Sequence, residues 1–217
     1  MIENGKTIEQ LNYLSIITPQ NTRISWDDYF SILAKMTSMR SSDKHRKVGS
    51  VIVSQDNRIL STGYNGTPIG IKETDIPWNN EGEYLNTKYP YIVHSELNAI
   101  LGYNNNKALL KGARIYTTLF PCNNCMKAII QSGISEVIYL DNHNYQKEAY
   151  VASRHLVEKR NEASRLPKII LRGYKVSAFE KNKTSQAINE DRIIIPAAEV
   201  AAYDETLDVG LSRTLKR

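Results

Sequence analysis

Arg114-Ile115-Tyr116-Thr117-Thr118-Leu119-Phe120-Pro121-Cys122-Asn123-Asn124-Cys125 decides how this chain is read. Its first six residues alternate and are rich in β-branched and aromatic side chains, as a strand over 114–119 requires. Pro121 suits the first turn of a following helix, 122–132, because its missing N–H is one that a helix start leaves unpaired anyway. Two cysteines three apart in a first helical turn lie on nearly the same face. The free N–H groups and positive dipole end of that turn favour thiolates, the form that binds metal. Strand, turn and helix therefore bring two sulfurs to one place.

His94-Ser95-Glu96, upstream, adds an imidazole and a carboxylate. In a regular helix His94 and Glu96 would diverge by roughly 200°. At the entrance to a helix the backbone is not yet regular, and both side chains can face one cavity. The apolar spacing of Leu97, Ile100 and Leu101 begins there, so the helix is expected to start at His94. Catalytic zinc takes three protein ligands and keeps its fourth tetrahedral position open. His94, Cys122 and Cys125 make three, and Glu96 is expected to stand over the metal without ligating it. A thioredoxin-like redox site also places Cys-x-x-Cys between strand and helix. Its proline normally lies between the cysteines, where this chain has Asn123 and Asn124. A structural zinc site in a binding module would normally close with a fourth ligand, and Glu96 argues against it.

Working outward, helix 94–103, strand 114–119, helix 122–132, strand 136–140, a helix over about 147–160 and strand 168–173 alternate. That order predicts an α/β layered fold with a partly parallel sheet. Ser25-Trp26-Asp27-Asp28 has the form of a capping box, and the stripe Tyr29, Phe30, Leu33, Ala34, Met36 carries a helix to about Met39. Val48 to Ser54 and Ile59 to Tyr64 read as a hairpin. The long loop from Asn65 to Val93 is rich in Gly, Pro, Asn and aromatics, and loops of that length tend to be functional or disordered. Residues 1–24 read as an N-terminal arm, 25–175 as the catalytic domain and 176–217 as an extension, partly mobile or engaged in subunit contacts. Within the extension, Ile193-Ile194-Ile195-Pro196 reads as an edge strand and Pro196 to Tyr203 as a short helix.

The chain has 217 residues, enough for one well-buried domain with tails, and only two cysteines. Both belong to the proposed metal site, which leaves no disulfide framework and fits a reducing, cytoplasmic compartment. No apolar run approaches membrane-spanning length, and Met1 to Lys6 lacks the apolar core of a signal peptide. The net charge of +5 invites a nucleic-acid partner. Yet Glu158 and Glu162 interrupt the densest basic stretch, Arg154 to Arg172, and a solvated mixed-charge helix face explains it at least as well. A mild positive bias also suits small phosphorylated ligands.

The His-x-Glu and Pro-Cys-x-x-Cys order is the signature of zinc-dependent nucleobase and nucleotide deaminases. From about Trp26 to Tyr174 the chain resembles the deoxycytidylate (dCMP) deaminases. The resemblance is carried by Trp26-Asp27-Asp28-Tyr29-Phe30, Arg40-Ser41-Ser42-Asp43 and Val48-Gly49-Ser50-Val51-Ile52-Val53. It continues through Gly63-Tyr64-Asn65-Gly66-Thr67-Pro68-Ile69-Gly70, Thr87-Lys88-Tyr89-Pro90-Tyr91, Leu97-Asn98-Ala99-Ile100, Leu119-Phe120-Pro121-Cys122 and Ile129 to Ile134. One departure stands out: Ser95 replaces the alanine usual between the histidine and the glutamate.

The resemblance implies a three-layer α/β/α cytidine-deaminase-like fold with a five-stranded mixed sheet. It also implies hydrolysis of dCMP to dUMP and ammonia, supplying dUMP for thymidylate synthesis. Zn2+ would be held by His94, Cys122 and Cys125, with Glu96 as the catalytic acid and base. The second, structural zinc of some viral members finds no spare cysteine here. Asn65 is expected at the sugar, His45 or Arg46 at the phosphate, and Tyr145 against the substrate. Family members are commonly hexamers, activated by dCTP with Mg2+ and inhibited by dTTP. Asn65, Gly66, Thr67, Pro68 and Gly70 would belong to that effector site. A deaminase acting on dCTP or deoxycytidine is the neighbouring alternative. A tRNA adenosine deaminase is a further one, although that group usually has Glu where Phe120 stands and lacks the Gly-Tyr-Asn-Gly loop.

Overall fold

The computed structural model describes residues 2–3, 6–7, 23–163 and 166–176. Near the N-terminus, β1 (Ile2–Glu3) pairs antiparallel with β2 (Lys6–Thr7). The first described helix, α1 (Trp26–Ser38), starts as its capping residue dictates: Ser25 is extended and its hydroxyl accepts from the Asp28 N–H at 3.0 Å. The edge strand and short helix expected over 193–203 lie outside the described residues.

β3 (Gly49–Val53) and β4 (Ile59–Tyr64) form the expected hairpin. With β5 (Arg114–Thr117), β6 (Glu136–Tyr139) and β7 (Ile170–Gly173) they build one sheet in the order β4-β3-β5-β6-β7. β4, β3 and β5 pair antiparallel, whereas β5, β6 and β7 run parallel, so the sheet is mixed. The parallel half follows from its connections, because α3 (Asn123–Ser132) and α4 (Glu148–Ala163) are the crossovers a parallel pair needs.

Side chains alternate across the sheet and split the core in two. Val51 and Val53 of β3, Tyr116 and Ile138 pack on one face with Phe30 and Ala34 of α1. Ile52, Ile115 and Val137 pack on the other with Ala99, Met126, Ile129 and Val157. Those residues come from α2 (Ser95–Leu101), α3 and α4. The result is the three-layer α/β/α fold, with one described helix on one face and three on the other.

Two glycines set how closely helices approach the hairpin. A Cβ on Gly49 would lie 2.1 Å from the Ala34 carbonyl oxygen of α1, and one on Gly63 2.3 Å from the Ser95 carbonyl oxygen of α2. Both neighbours are backbone, so only glycine allows this contact. Part of the basic stretch is met by local pairs. Lys159 meets Glu162, His155 meets Glu158, and Arg172 is shared between Asp27 and Glu136. Among the described residues, no helix is long and apolar enough to cross a membrane.

Candidate active site

Two helix starts and two strand ends meet at the site. His94 is the N-cap of α2 in extended conformation (φ −71°, ψ 156°), so that helix begins at Ser95, one residue later than the apolar spacing indicates. This non-helical residue is what lets His94 and Glu96 serve one cavity. Cys122 is likewise the N-cap of α3 (φ −71°, ψ 169°), with Cys125 in the first turn. Pro121 therefore precedes the cap and does not sit in the first turn as its sequence position suggests. Its carbonyl accepts from the Ser153 hydroxyl at 2.9 Å, tying α4 to the cysteine loop.

His94 Nδ1 lies 3.4 Å from Cys122 Sγ and 3.5 Å from Cys125 Sγ, and all three ligand atoms fall within 4.8 Å of one another. A tetrahedral zinc with bonds of about 2.3 Å to sulfur and 2.0 Å to nitrogen separates those atoms by about 3.5 Å. The donor set therefore fits zinc in both chemistry and spacing. Without metal the same contacts fix the protons. The bond from Cys125 first, and His94 next, pull the Cys122 thiol down to about 4. Cys125 is pushed well above the ordinary thiol range by that bond and by burial. The Cys122 sulfur raises His94 to about 9. Glu96, 4 % exposed beside them, is pushed up by burial.

A cavity of about 330 Å³ opens above this cluster. His94, Ser95, Glu96 and Cys122 line its floor. The segment between α1 and β3 forms one wall and is organised by Asp43. One Asp43 oxygen accepts the backbone N–H groups of His45 (2.9 Å) and Arg46 (3.0 Å); the other accepts from Asn65 Nδ2 (3.1 Å) and pairs with buried Lys88. Burial alone would raise Asp43, but the Lys88 bond and the two backbone N–H groups outweigh it and hold the carboxyl below its usual range. The opposite wall comes from Leu119, Phe120, His143, Asn144, Lys147 and Tyr150.

Asn65, His45 and Arg46 all line the cavity, as expected. Asn65, however, is largely committed to the protein. Its Oδ1 accepts from Val48 N (2.7 Å), and both amide hydrogens are taken by Asp43 and the Arg46 carbonyl. Arg46 reaches the Asp141 carboxylate at 3.2 Å and His143 Nδ1 at 3.1 Å. Tyr145 is not among the lining residues; its ring lies 3.5 Å from the Arg154 guanidinium, and His143 and Asn144 face the cavity instead. Gly66 pairs with Val93 in an isolated bridge that closes the long loop at its base, while Ile69, three residues on, is fully exposed. That loop also supplies Asn80, Lys88, Tyr89 and Ile92 to the cavity. Asn80 was missed by sequence reasoning, and its buried Oδ1 has no hydrogen-bond partner among the described residues.

Residues 24–141 match the cytidine and deoxycytidylate deaminase zinc-binding region. The chain belongs to this family. It is similar to the deoxycytidylate deaminase of Mus musculus, 44% identical over 132 residues that cover 60% of this chain and 73% of the relative. The Homo sapiens deoxycytidylate deaminase is 42% identical over the same share of each chain. Among solved structures, the dCMP deaminase of cyanophage S-TIM5 in complex with dCMP and dUMP shares the fold. Its TM-score is 0.51 at 23% identity, covering 71% of this chain and 100% of that one. The protein is thus a deaminase of a zinc-binding family, and the spacing of His94, Cys122 and Cys125 fits that metal.

Proposed function

We propose that this deaminase hydrolyses dCMP to dUMP and ammonia. The observation that carries the reading is the convergence of His94 Nδ1 and both cysteine sulfurs beside buried Glu96, at the floor of a nucleotide-scale cavity. The names of the mouse and human relatives support deoxycytidylate as substrate. Zinc bound at the cluster supplies Lewis acidity that brings the pKa of a water toward neutrality. Glu96 takes the proton from that water and passes it to ring nitrogen 3 as the water oxygen attacks ring carbon 4. It then delivers the second proton to the departing amine, so that water and dCMP become dUMP and ammonia. A buried carboxyl suits this shuttle, since desolvation raises its pKa toward the working range.

Arg46 and Lys147 bring cationic groups to the cavity wall, beside the rings of His45 and His143, and a monophosphate finds charge-assisted donors there. Asn65 keeps one free lone pair on Oδ1 for a sugar hydroxyl. Residues 25–175 form the catalytic unit, acting in the cytoplasm as a homohexamer. Between its subunits, dCTP with Mg2+ activates and dTTP inhibits through Asn65, Gly66, Thr67, Pro68 and Gly70. The exposed Ile69 at that loop supports a contact there.

Ammonia release is measured over dCMP, dCTP, deoxycytidine and a tRNA hairpin, with and without dCTP–Mg2+ or dTTP. Phosphate contacts worth roughly 3 kcal/mol favour dCMP over deoxycytidine by about two orders of magnitude in kcat/KM. Faster turnover of dCTP than of dCMP contradicts the substrate assignment. Saturation becomes less sigmoidal with dCTP if effectors bind the two states unequally. Hyperbolic kinetics indifferent to both effectors contradict the regulation and leave the chemistry intact.

A further inference from the structure

We infer that Ser50 and Ser95 are positioning residues for Glu96, fixing its carboxylate from the interior of the sheet. This rests on the reading of Glu96 as the proton carrier. Ser95 Oγ donates to Glu96 Oε2 at 3.1 Å and lies 2.7 Å from Ser50 Oγ. Ser50 Oγ also reaches Thr117 Oγ1 at 3.1 Å, and the Thr117 hydroxyl contacts the Leu119 carbonyl at 3.1 Å. Ser50 and Ser95 are 0 % exposed and Thr117 1 %. The chain of hydroxyls therefore runs from the cavity floor into the central strands without reaching solvent.

The fold builds this line on purpose-made register. β3 and β5 pair Ser50 with Thr117, and β3 and β4 pair Ser50 with Gly63. Gly63 is the residue that admits the α2 backbone, so Ser95 arrives directly over Ser50. Buried hydroxyls are unfavourable unless bonded, and an apolar residue is the default at such positions. Ile52, next on the same face of β3, follows that default. Ser95 does not cap its helix, because His94 occupies the cap; its hydroxyl bonds Ser50 and Glu96. A hydroxyl both donates and accepts, so Ser95 can bond Glu96 and Ser50 at once.

Ser95→Ala, Ser50→Ala, Glu96→Gln and the pairs Ser50→Ala/Ser95→Ala and Ser95→Ala/Glu96→Gln are compared for zinc content, kcat and KM with dCMP. Each single serine variant keeps its zinc and a KM within about twofold, while kcat falls about tenfold, the scale of one bond to a charged group. The double serine variant falls no further than the worse single one, and Ser95→Ala has no added effect when Glu96 is already Gln. Unchanged kcat in Ser95→Ala overturns the inference. So does loss of zinc, or an equal loss in the Glu96→Gln background, since either shows that the serine does not act through Glu96. Full turnover in Glu96→Gln overturns the reading of Glu96 itself. An inactive Glu96→Gln beside an unaffected Ser95→Ala overturns only the positioning.

Discussion

Asp43 governs the cavity wall through four donors: the N–H groups of His45 and Arg46, the Asn65 amide and the Lys88 ammonium. Asp43 is 1 % and Lys88 4 % exposed, so removing either charge leaves the other buried and unpaired. Breaking such a pair costs about 3–5 kcal/mol, and Asp43→Asn is expected to lose stability on that scale at pH 7. The pH dependence follows from the direction of the shift. The folded carboxyl titrates below its unfolded value near 4, so its contribution is fully present above about 4 and disappears as the pH falls through the folded value. Urea unfolding of both proteins from pH 7 to pH 3 checks this. The gap between them holds steady down to about pH 5 and narrows below about 4; a gap that persists unchanged at pH 3 contradicts the account.

At the scale of elements, the site depends on how deeply α2 sits on the hairpin. Gly63→Ala places a methyl group against the Ser95 carbonyl and the Ala99 N–H, both backbone atoms that cannot rotate away. The helix must move, and with it His94 and Glu96, while the cysteines stay with α3. Overpacking of this kind costs about 1–3 kcal/mol. The variant is therefore expected to lose zinc affinity as well as stability, measured by competition with a chelator. Gly66→Ala is the control, because only the Tyr64 ring approaches, at 3.7 Å, and the variant should bind zinc normally. Equal zinc affinity in Gly63→Ala and the control contradicts this coupling. The strands, the crossover helices and the metal cluster were legible because each is written locally, in alternation, in Pro-Cys-x-x-Cys, or in the apolar spacing after His94. The Asp43–Lys88 pair and the Ser50–Ser95 contact span 45 positions each, and no local pattern reports them. Tyr145 failed to reach the cavity for a related reason. The turn after β6 directs its ring to Arg154, a contact set by α4.

For the whole molecule, the sheet divides labour between its two faces. One carries α1 and a cluster built on Phe30, Val51, Val53 and Tyr116, and the other carries α2 and α3, whose starts hold every proposed metal ligand. Within the basic stretch from Arg154 to Arg172, Lys159 and Arg172 each face carboxylates. Near the site, Arg46, Lys88 and Lys147 border a small cavity. The central claim is that His94, Cys122 and Cys125 hold zinc while Glu96 moves the protons. It is tested most directly by measuring zinc stoichiometry and dCMP turnover together in Glu96→Gln. The account predicts about one zinc per chain and a folded protein whose turnover falls by about 10⁴-fold. Turnover within about tenfold of the unaltered enzyme, or full activity in protein without zinc, would contradict it.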